Sequence, residues 1–384
     1  MKINIYPIVS ALHDKNVIEN NTNELLSLLK ENSKHDYNIV SIDELYDADL
    51  SLILVLSGGS ENEFLSNLPK LREPFYILTY GYNNSLPASL EILSYIKDNN
   101  YDGEVLHGNI NYIVDRINDL LNRVNYGVIG NPSDWLIASE VNYSNALKHN
   151  VNLINIDIDE VVKEYNSITE LDDLSIHLDY DKKEIDKANK LYRALVNIKQ
   201  KYNLKGLTIR CFDLLSKLNT TACLGLSLLN RDKTISTCEG DIPSMISMKI
   251  IYDLFKQSSF QANPSQINLE ENEIVFAHCT LPLDMCNSFK LDTHFESNIG
   301  IGIKGELNLT KVTIFKLARN LKDYYVETGT IVENLNSDKL CRTQIKIKLD
   351  NSPNYFLTRP YGNHHIIFYG DHKNELIEYM NKIK

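Results

Sequence analysis

Short apolar runs and longer amphipathic ones take turns along the first third of the chain. Ile3–Val9 precedes Glu24–Leu29, Leu52–Leu56 precedes Glu61–Leu68, Phe75–Thr79 precedes Ala88–Ile96, and Glu104–Leu106 precedes Ile113–Leu121, with a further strand-like run at Asn38–Ile42. Strand-length and helix-length segments in near-regular alternation predict a mostly parallel sheet covered by helices on both faces. Residues 1–125 are therefore expected to form a doubly wound, Rossmann-like α/β domain.

The same alternation resumes in a second α/β domain over residues 126–268. Tyr126–Gly130 reads as its first strand, Asn131-Pro132-Ser133-Asp134 as a turn and helix start, and Val151–Ile158 as a strand. The Asp-rich stretch from Glu170 to Asp186 reads as a solvated connection. Ile185–Tyr202 has helical periodicity, Leu207–Cys211 reads as a buried strand and Thr221–Leu229 as a helix of small residues. Beyond the 263–272 region the pattern changes. Ile274–His278, Ile299–Ile303, Lys311–Ala318, Tyr325–Val332, Thr343–Leu349, Tyr355–Leu357 and Ile366–Tyr369 follow one another with almost no helix until Lys373–Ile383. That succession predicts a β-rich domain, an antiparallel sheet or small barrel, over residues 269–384.

Composition narrows the partners. The 384 residues carry 39 Lys and Arg against 51 Asp and Glu, a formal charge of −12, and the resulting field repels a nucleic-acid backbone. No run of about 18 apolar residues is present to span a bilayer. Six cysteines are dispersed without a CxxC pair, which suits neither a disulfide framework nor a thiolate zinc site and is expected of a cytoplasmic protein. A small polar ligand is the easier partner.

The candidate chemistry begins at Cys238-Glu239-Gly240-Asp241-Ile242-Pro243-Ser244, between a β-like run (Thr234–Thr237) and a helical run (Ser244–Phe255). Two carboxylates at a strand-to-helix turn either cap the free amides of the helix or meet a metal or substrate hydroxyl. Their company favours a site: His278-Cys279, His294 and Asn363-His364-His365 all fall in the β-rich third. Imidazoles mixed with carboxylates suit Mn²⁺, Fe²⁺, Co²⁺ or Zn²⁺, and the carboxylate share points to Mn²⁺. Neighbours on a strand face opposite ways, so only one of His364 and His365 is expected to be a ligand. His13, His35, His107, His149, His177 and His372 read as structural. Trp135, the one tryptophan, either anchors a domain junction or stacks on a ligand ring. Cys238 and Cys279 are small buried thiols or, beside His278, nucleophiles. Arg342 and Arg359 either bind an anionic substituent or pair with the acidic surface. Ser57-Gly58-Gly59-Ser60 sits where a phosphate loop would, without a P-loop Lys or a third glycine, and reads as a tight turn.

The motifs CEGDIPSMISM (Cys238–Met248), FAHC (Phe276–Cys279), THFESNIGIGIKGE (Thr293–Glu306), CRTQI (Cys341–Ile345) and GNHH (Gly362–His365), with GNPSDWLIAS (Gly130–Ser139), resemble the L-fucose isomerase and L-arabinose isomerase superfamily, and within it the shorter fucose isomerase-like proteins. The resemblance covers the C-terminal two thirds. It implies two Rossmann-like domains and a β-rich domain, assembled as a homo-oligomer, a trimer or hexamer. It also implies aldose–ketose isomerisation, in which a divalent metal holds the sugar O1 and O2 and a carboxylate moves a proton between C1 and C2 through a cis-enediol. Glu239 matches the metal-binding and catalytic carboxylate, His365 or His364 the C-terminal histidine ligand, and His294 the histidine that approaches metal or substrate.

The family's second carboxylate falls at Asn263, an amide that offers a neutral oxygen and no base of carboxylate strength. Either Asp241 or Glu296 then supplies the missing carboxylate, or the pocket binds a sugar without isomerising it, or it runs an epimerase or lyase reaction. The substrate-binding candidates are Trp135, Asn263, His294 and Arg359.

Overall fold

The computed structural model describes residues 1–10, 13–72, 74–99, 101, 103–171, 173–174 and 179–383, so His177 lies outside the described residues. The chain divides into two compact units, Met1–Arg123 and Val124–Lys384.

The first unit holds β1 (Lys2–Ile8), β2 (Asp36–Ile39), β3 (Leu50–Val55), β4 (Phe75–Leu78) and β5 (Gly103–Leu106). They form a parallel sheet in the order β2-β1-β3-β4-β5. The central strands are apolar on both sides because each face is covered: Ile3, Leu52, Leu54 and Leu78 pack into one core, and Ile8, Ile53, Val55 and Ile77 into another. Helices start where short polar side chains accept orphan amides, Asp14 before Lys15–Asn32 and Asn109 before Ile110–Leu121. The Ser57–Ser60 turn satisfies itself: Ser57 Oγ accepts from the Ser10 amide at 2.9 Å and Ser60 Oγ donates to the Ser57 carbonyl at 2.7 Å.

The second unit joins two sheets. β6 (Val124–Ile129), β7 (Val151–Ile156), β8 (Leu204–Ile209) and β9 (Ile235–Cys238) make a parallel sheet ordered β7-β6-β8-β9. Beyond the helix Ile242–Phe255 come β10 (Phe260–Asn268), β11 (Glu273–His278), β12 (Ser288–Asp292), β13 (Gly302–Glu306), β14 (Lys311–Leu317), β15 (Tyr324–Asn334), β16 (Thr343–Leu349) and β17 (His365–Tyr369). Six of these close a barrel in the order β10-β11-β16-β15-β14-β17, while β12 and β13 form a separate hairpin. The expected class, α/β followed by a β-rich part, is observed, and the β-rich part is a closed antiparallel barrel. Its first strand, β10, lies in the stretch read as a junction.

The helix Ile242–Phe255 is the hinge of this arrangement. Its first ten residues, Ile242 to Ile251, are all buried. One side meets β8 and β9 and the other meets β14 and β17, with Met245, Ile246 and Ile250 sharing a core with Phe315, Leu317, Ile366 and Phe368. A helix apolar all round belongs between two layers. Its N-terminus thereby comes to the place where the end of β9 meets the mouth of the barrel. Among the described residues no helix is long and apolar enough to cross a membrane.

Candidate active site

The turn after β9 is built for close approach. Glu239 has φ +64° and Gly240 φ +71°. A Cβ on Gly240 would lie 2.7 Å from the Pro132 Cα, so only glycine lets the 130–135 loop pack there. That loop is tied down by the Ser133 amide, which donates to the Glu239 carbonyl at 2.9 Å. A glutamate in the left-handed region is uncommon and is retained where the surroundings over-determine it. Here Trp135 Nε1 donates to Glu239 Oε2 at 2.7 Å. Trp135 is otherwise 53% exposed and edge-on to Phe212.

Asp241, the next turn residue, serves as the helix N-cap. Its Oδ1 accepts from the Ser244 amide at 2.9 Å, and its Oδ2 accepts from Ser244 Oγ at 2.8 Å and from His364 Nδ1 at 2.8 Å. Lys316 of β14 reaches the same carboxylate at 3.2 Å, with Asp241 and Lys316 both buried. Burial opposes ionisation of Asp241, but the Lys316 ammonium and then His364 hold its carboxyl well below the usual range. The sequence leaves Asp241 open as a helix cap or as the carboxylate that Asn263 lacks; in the structure it caps the helix and holds the His364 ring.

His364 immediately precedes β17 and His278 ends β11. With Nδ1 donating to Asp241, His364 turns Nε2 toward Glu239 Oε1, 3.4 Å away, and that buried nitrogen has no hydrogen-bond partner. His278 pairs through Nδ1 with Thr280 Oγ1 at 2.9 Å; a proton there leaves a lone pair on Nε2. Glu239, His278 and His364 each offer a donor atom within 4.8 Å of one another, and all three are buried. Donor atoms about 2.0–2.2 Å from one ion sit no more than about 4.4 Å apart, so a shift of a few tenths of an ångström would let these donors share a cation.

Electrostatics agree with a cation-binding position. Burial disfavours the His364 imidazolium, yet Glu239 and Asp241 outweigh it and raise its pKa to about 9. Burial likewise disfavours the Glu239 carboxylate, and His364, His278 and Trp135 together bring its pKa down to about 2. The His364 proton occupies the place where a metal would put its charge. For His278 burial first, then the His364 charge, outweigh Glu239 and Glu296, lower its pKa to about 3 and keep it a neutral imidazole.

The other expected residues fall elsewhere. His365 takes the opposite face of β17: its Nε2 lies 3.2 Å from Tyr355 Oη, and Phe276, Tyr325 and Phe356 surround the ring. Of the adjacent pair, only His364 faces Glu239. His294 lies edge-on to Phe212, with Nδ1 on Ser297 Oγ at 2.9 Å and Nε2 on Glu296 Oε2 at 3.0 Å. Asn263 is on β10, paired with Ala277 of β11 and one residue past the Ala262–His365 pair. Its Oδ1 is buried without a hydrogen-bond partner. Arg359 is exposed. Arg342 donates to Thr293 and pairs with Asp292. Cys238 faces Cys211, and that contact together with burial pushes its thiol well up, away from nucleophilic character.

Lys316 was not singled out by sequence. Its signal was present, a lysine inside the otherwise buried run Lys311–Leu317, where a charge persists only when paired. The sequence places His278 among the histidines whose company favours a site but gives it no ligand role.

No family model matches the chain. Among curated proteins it is similar to the sulfoquinovose isomerases of Priestia aryabhattai and Priestia megaterium, each 25% identical over 287 residues, which cover 69% of this chain and 64% of the relative. It is also similar to the sulfoquinovose isomerase of a Clostridium species, 23% identical over 226 residues, covering 53% of this chain and 48% of the relative. The chain therefore spans less than two thirds of the length of the curated relatives it matches. These matches bear out the resemblance to fucose isomerase-like proteins carried by the motifs.

Proposed function

We propose that this protein is a divalent-metal-dependent aldose–ketose isomerase acting through a cis-enediol, with Glu239, His278 and His364 as metal ligands and a sulfonated sugar of the sulfoquinovose type as the first substrate to test. The observation that carries the reading is the buried Glu239–His278–His364 set, with an orphaned His364 Nε2 at its centre. The similarity to sulfoquinovose isomerases supports the reaction class. Two imidazoles and one carboxylate suit Fe²⁺ and Zn²⁺ as well as Mn²⁺, and Mn²⁺ is the first ion to test.

A bound divalent ion supplies Lewis-acid polarisation of the sugar oxygens. The protein's own groups do the rest. Glu239 is ionised, and its Oε2 is pinned by Trp135, so it can take the proton from C2 of the open-chain aldose and return it to C1. Asp241, braced by Lys316 and Ser244, fixes the His364 tautomer so that Nε2 presents its lone pair. Thr280 does the same for His278.

Incubating the protein with Mn²⁺ and sulfoquinovose, alongside a panel of unsulfonated aldoses, and following ketose formation by NMR tests the reading. Metal-dependent interconversion that a chelator and Glu239→Gln both abolish is the expected result. No interconversion of any sugar with any of Mn²⁺, Fe²⁺, Co²⁺ or Zn²⁺ overturns it. A second reading, a sugar-binding relative without turnover, is favoured by the amide at Asn263; binding by calorimetry that survives both chelation and Glu239→Gln, without product, would select it.

A further inference from the structure

Isomerisation through an enediol needs two proton shuttles, one at carbon and one at oxygen. Glu239 serves the carbon. Asp241, the nearest second carboxylate in sequence, has both oxygens committed to Ser244, His364 and Lys316 and no exposed surface. Asn263 carries an amide. The second shuttle must come from another element.

The loop between β12 and β13 supplies a candidate. It is closed on itself by the His294 amide donating to the Ile299 carbonyl at 3.1 Å and the Asn298 amide donating to the His294 carbonyl at 2.9 Å. It is anchored at Gly300, φ +63°, where a Cβ would lie 2.6 Å from Thr221 Oγ1. On this loop Glu296 keeps 47% of its side chain exposed while His294 grips its Oε2 at 3.0 Å. Both His294 nitrogens are occupied, one by Glu296 and one by Ser297, so His294 acts as a clamp. A continuous line of side chains runs back to the metal ligands. His294 lies edge-on to Phe212 with centroids 5.5 Å apart, Phe212 edge-on to Trp135 at 4.8 Å, and Trp135 donates to Glu239.

We propose that Glu296, positioned by His294, is the second acid–base carboxylate of this site and moves the hydroxyl protons that Asn263 cannot. The inference rests on the isomerase reading above. As Glu239 takes the C2 proton, the C–H electron pair becomes the C1–C2 double bond and the carbonyl π pair moves to O1. Glu296 accepts the proton leaving O2 and delivers it to O1. The O2 electrons then form the C2 carbonyl and the double-bond pair takes the proton back from Glu239 at C1. Both carboxylates end as they began, and no oxidant or reductant is consumed.

Steady-state kinetics of wild type, Glu296→Gln, Glu296→Asp and His294→Gln on the sugar that wild type turns over, each checked for the Mn²⁺-dependent rise in Tm, test the proposal. Glu296→Gln is expected to lower kcat by about 100-fold or more, the range of general acid–base catalysis, with KM and the metal-dependent Tm rise little changed. Glu296→Asp should recover part of that loss. His294→Gln, which removes the imidazole hydrogen bond that lowers the Glu296 pKa, should lower kcat less and move the acid limb of its pH profile upward. An active wild type beside an equally active Glu296→Gln overturns this inference alone, as does a Glu296→Gln that loses kcat and the metal-dependent Tm rise together. A wild type that interconverts no sugar overturns the isomerase reading and this inference with it.

Discussion

His364 donates from Nδ1 to Asp241 Oδ2 at 2.8 Å inside a fully buried pair. That bond decides what His364 can do, because it commits one nitrogen to support and leaves the other facing Glu239. Asp241 is in turn the only counter-charge within reach of the buried Lys316 ammonium among the described residues.

Asp241→Asn is therefore expected to act in two ways. It leaves Lys316 as an unpaired buried charge, a loss of about 3–5 kcal/mol, read by denaturant unfolding of the metal-free protein. It also frees the His364 ring, weakening metal affinity by about 10–100-fold, the usual effect of removing such a partner. Calorimetric titration with Mn²⁺ on whatever fraction remains folded measures the second effect.

The two neighbouring histidines should separate cleanly. His365 lies among Tyr325, Tyr355 and Phe356 on the far face of β17, and burial with the nearby Lys316 charge lowers its pKa to about 3. His365→Phe should keep the Mn²⁺-dependent rise in Tm. His278→Phe should abolish it, with the metal-free Tm of both variants as the control. A ligand role for His365 would show as the reverse pattern.

How far the sequence reached is visible in these residues. The alternation of apolar and amphipathic runs carried the parallel sheets, because strands covered on both faces leave continuous apolar stretches such as Leu50–Val55. The succession of short runs carried the barrel. Strand β10 was harder: Phe260-Gln261-Ala262-Asn263-Pro264-Ser265-Gln266 mixes polar residues and a proline that sits at a register shift, so it lacks the period of a strand. Adjacent histidines announced that one faces inward but not which, since that depends on register against β10 and β14. The Trp135–Glu239 and Lys316–Asp241 contacts join residues 104 and 75 positions apart. No local pattern encodes such pairs. Only the layering of the helix Ile242–Phe255 between sheet and barrel brings them together.

Trp135→Phe isolates the hydrogen bond to Glu239. The indole is half-exposed but its hydrogen bond goes to a buried carboxylate, so Tm should fall by a few degrees while the protein stays folded. Loss of a hydrogen bond to a charged group is worth about 1.5–3 kcal/mol, and kcat on the sugar that wild type turns over should fall about 10–100-fold. The bond favours the ionised carboxylate, so its removal raises the Glu239 pKa and moves the acid limb of kcat/KM to higher pH. An unchanged limb with unchanged kcat would mean that the indole plays no part in preparing Glu239.

Whether Glu239, His278 and His364 hold a divalent metal is settled by anomalous scattering from a crystal soaked in Mn²⁺. One strong peak is expected about 2.0–2.3 Å from a Glu239 carboxylate oxygen and from Nε2 of His278 and His364. A peak bound through His365, or none at this site while Mn²⁺ binds elsewhere on the chain, would contradict it.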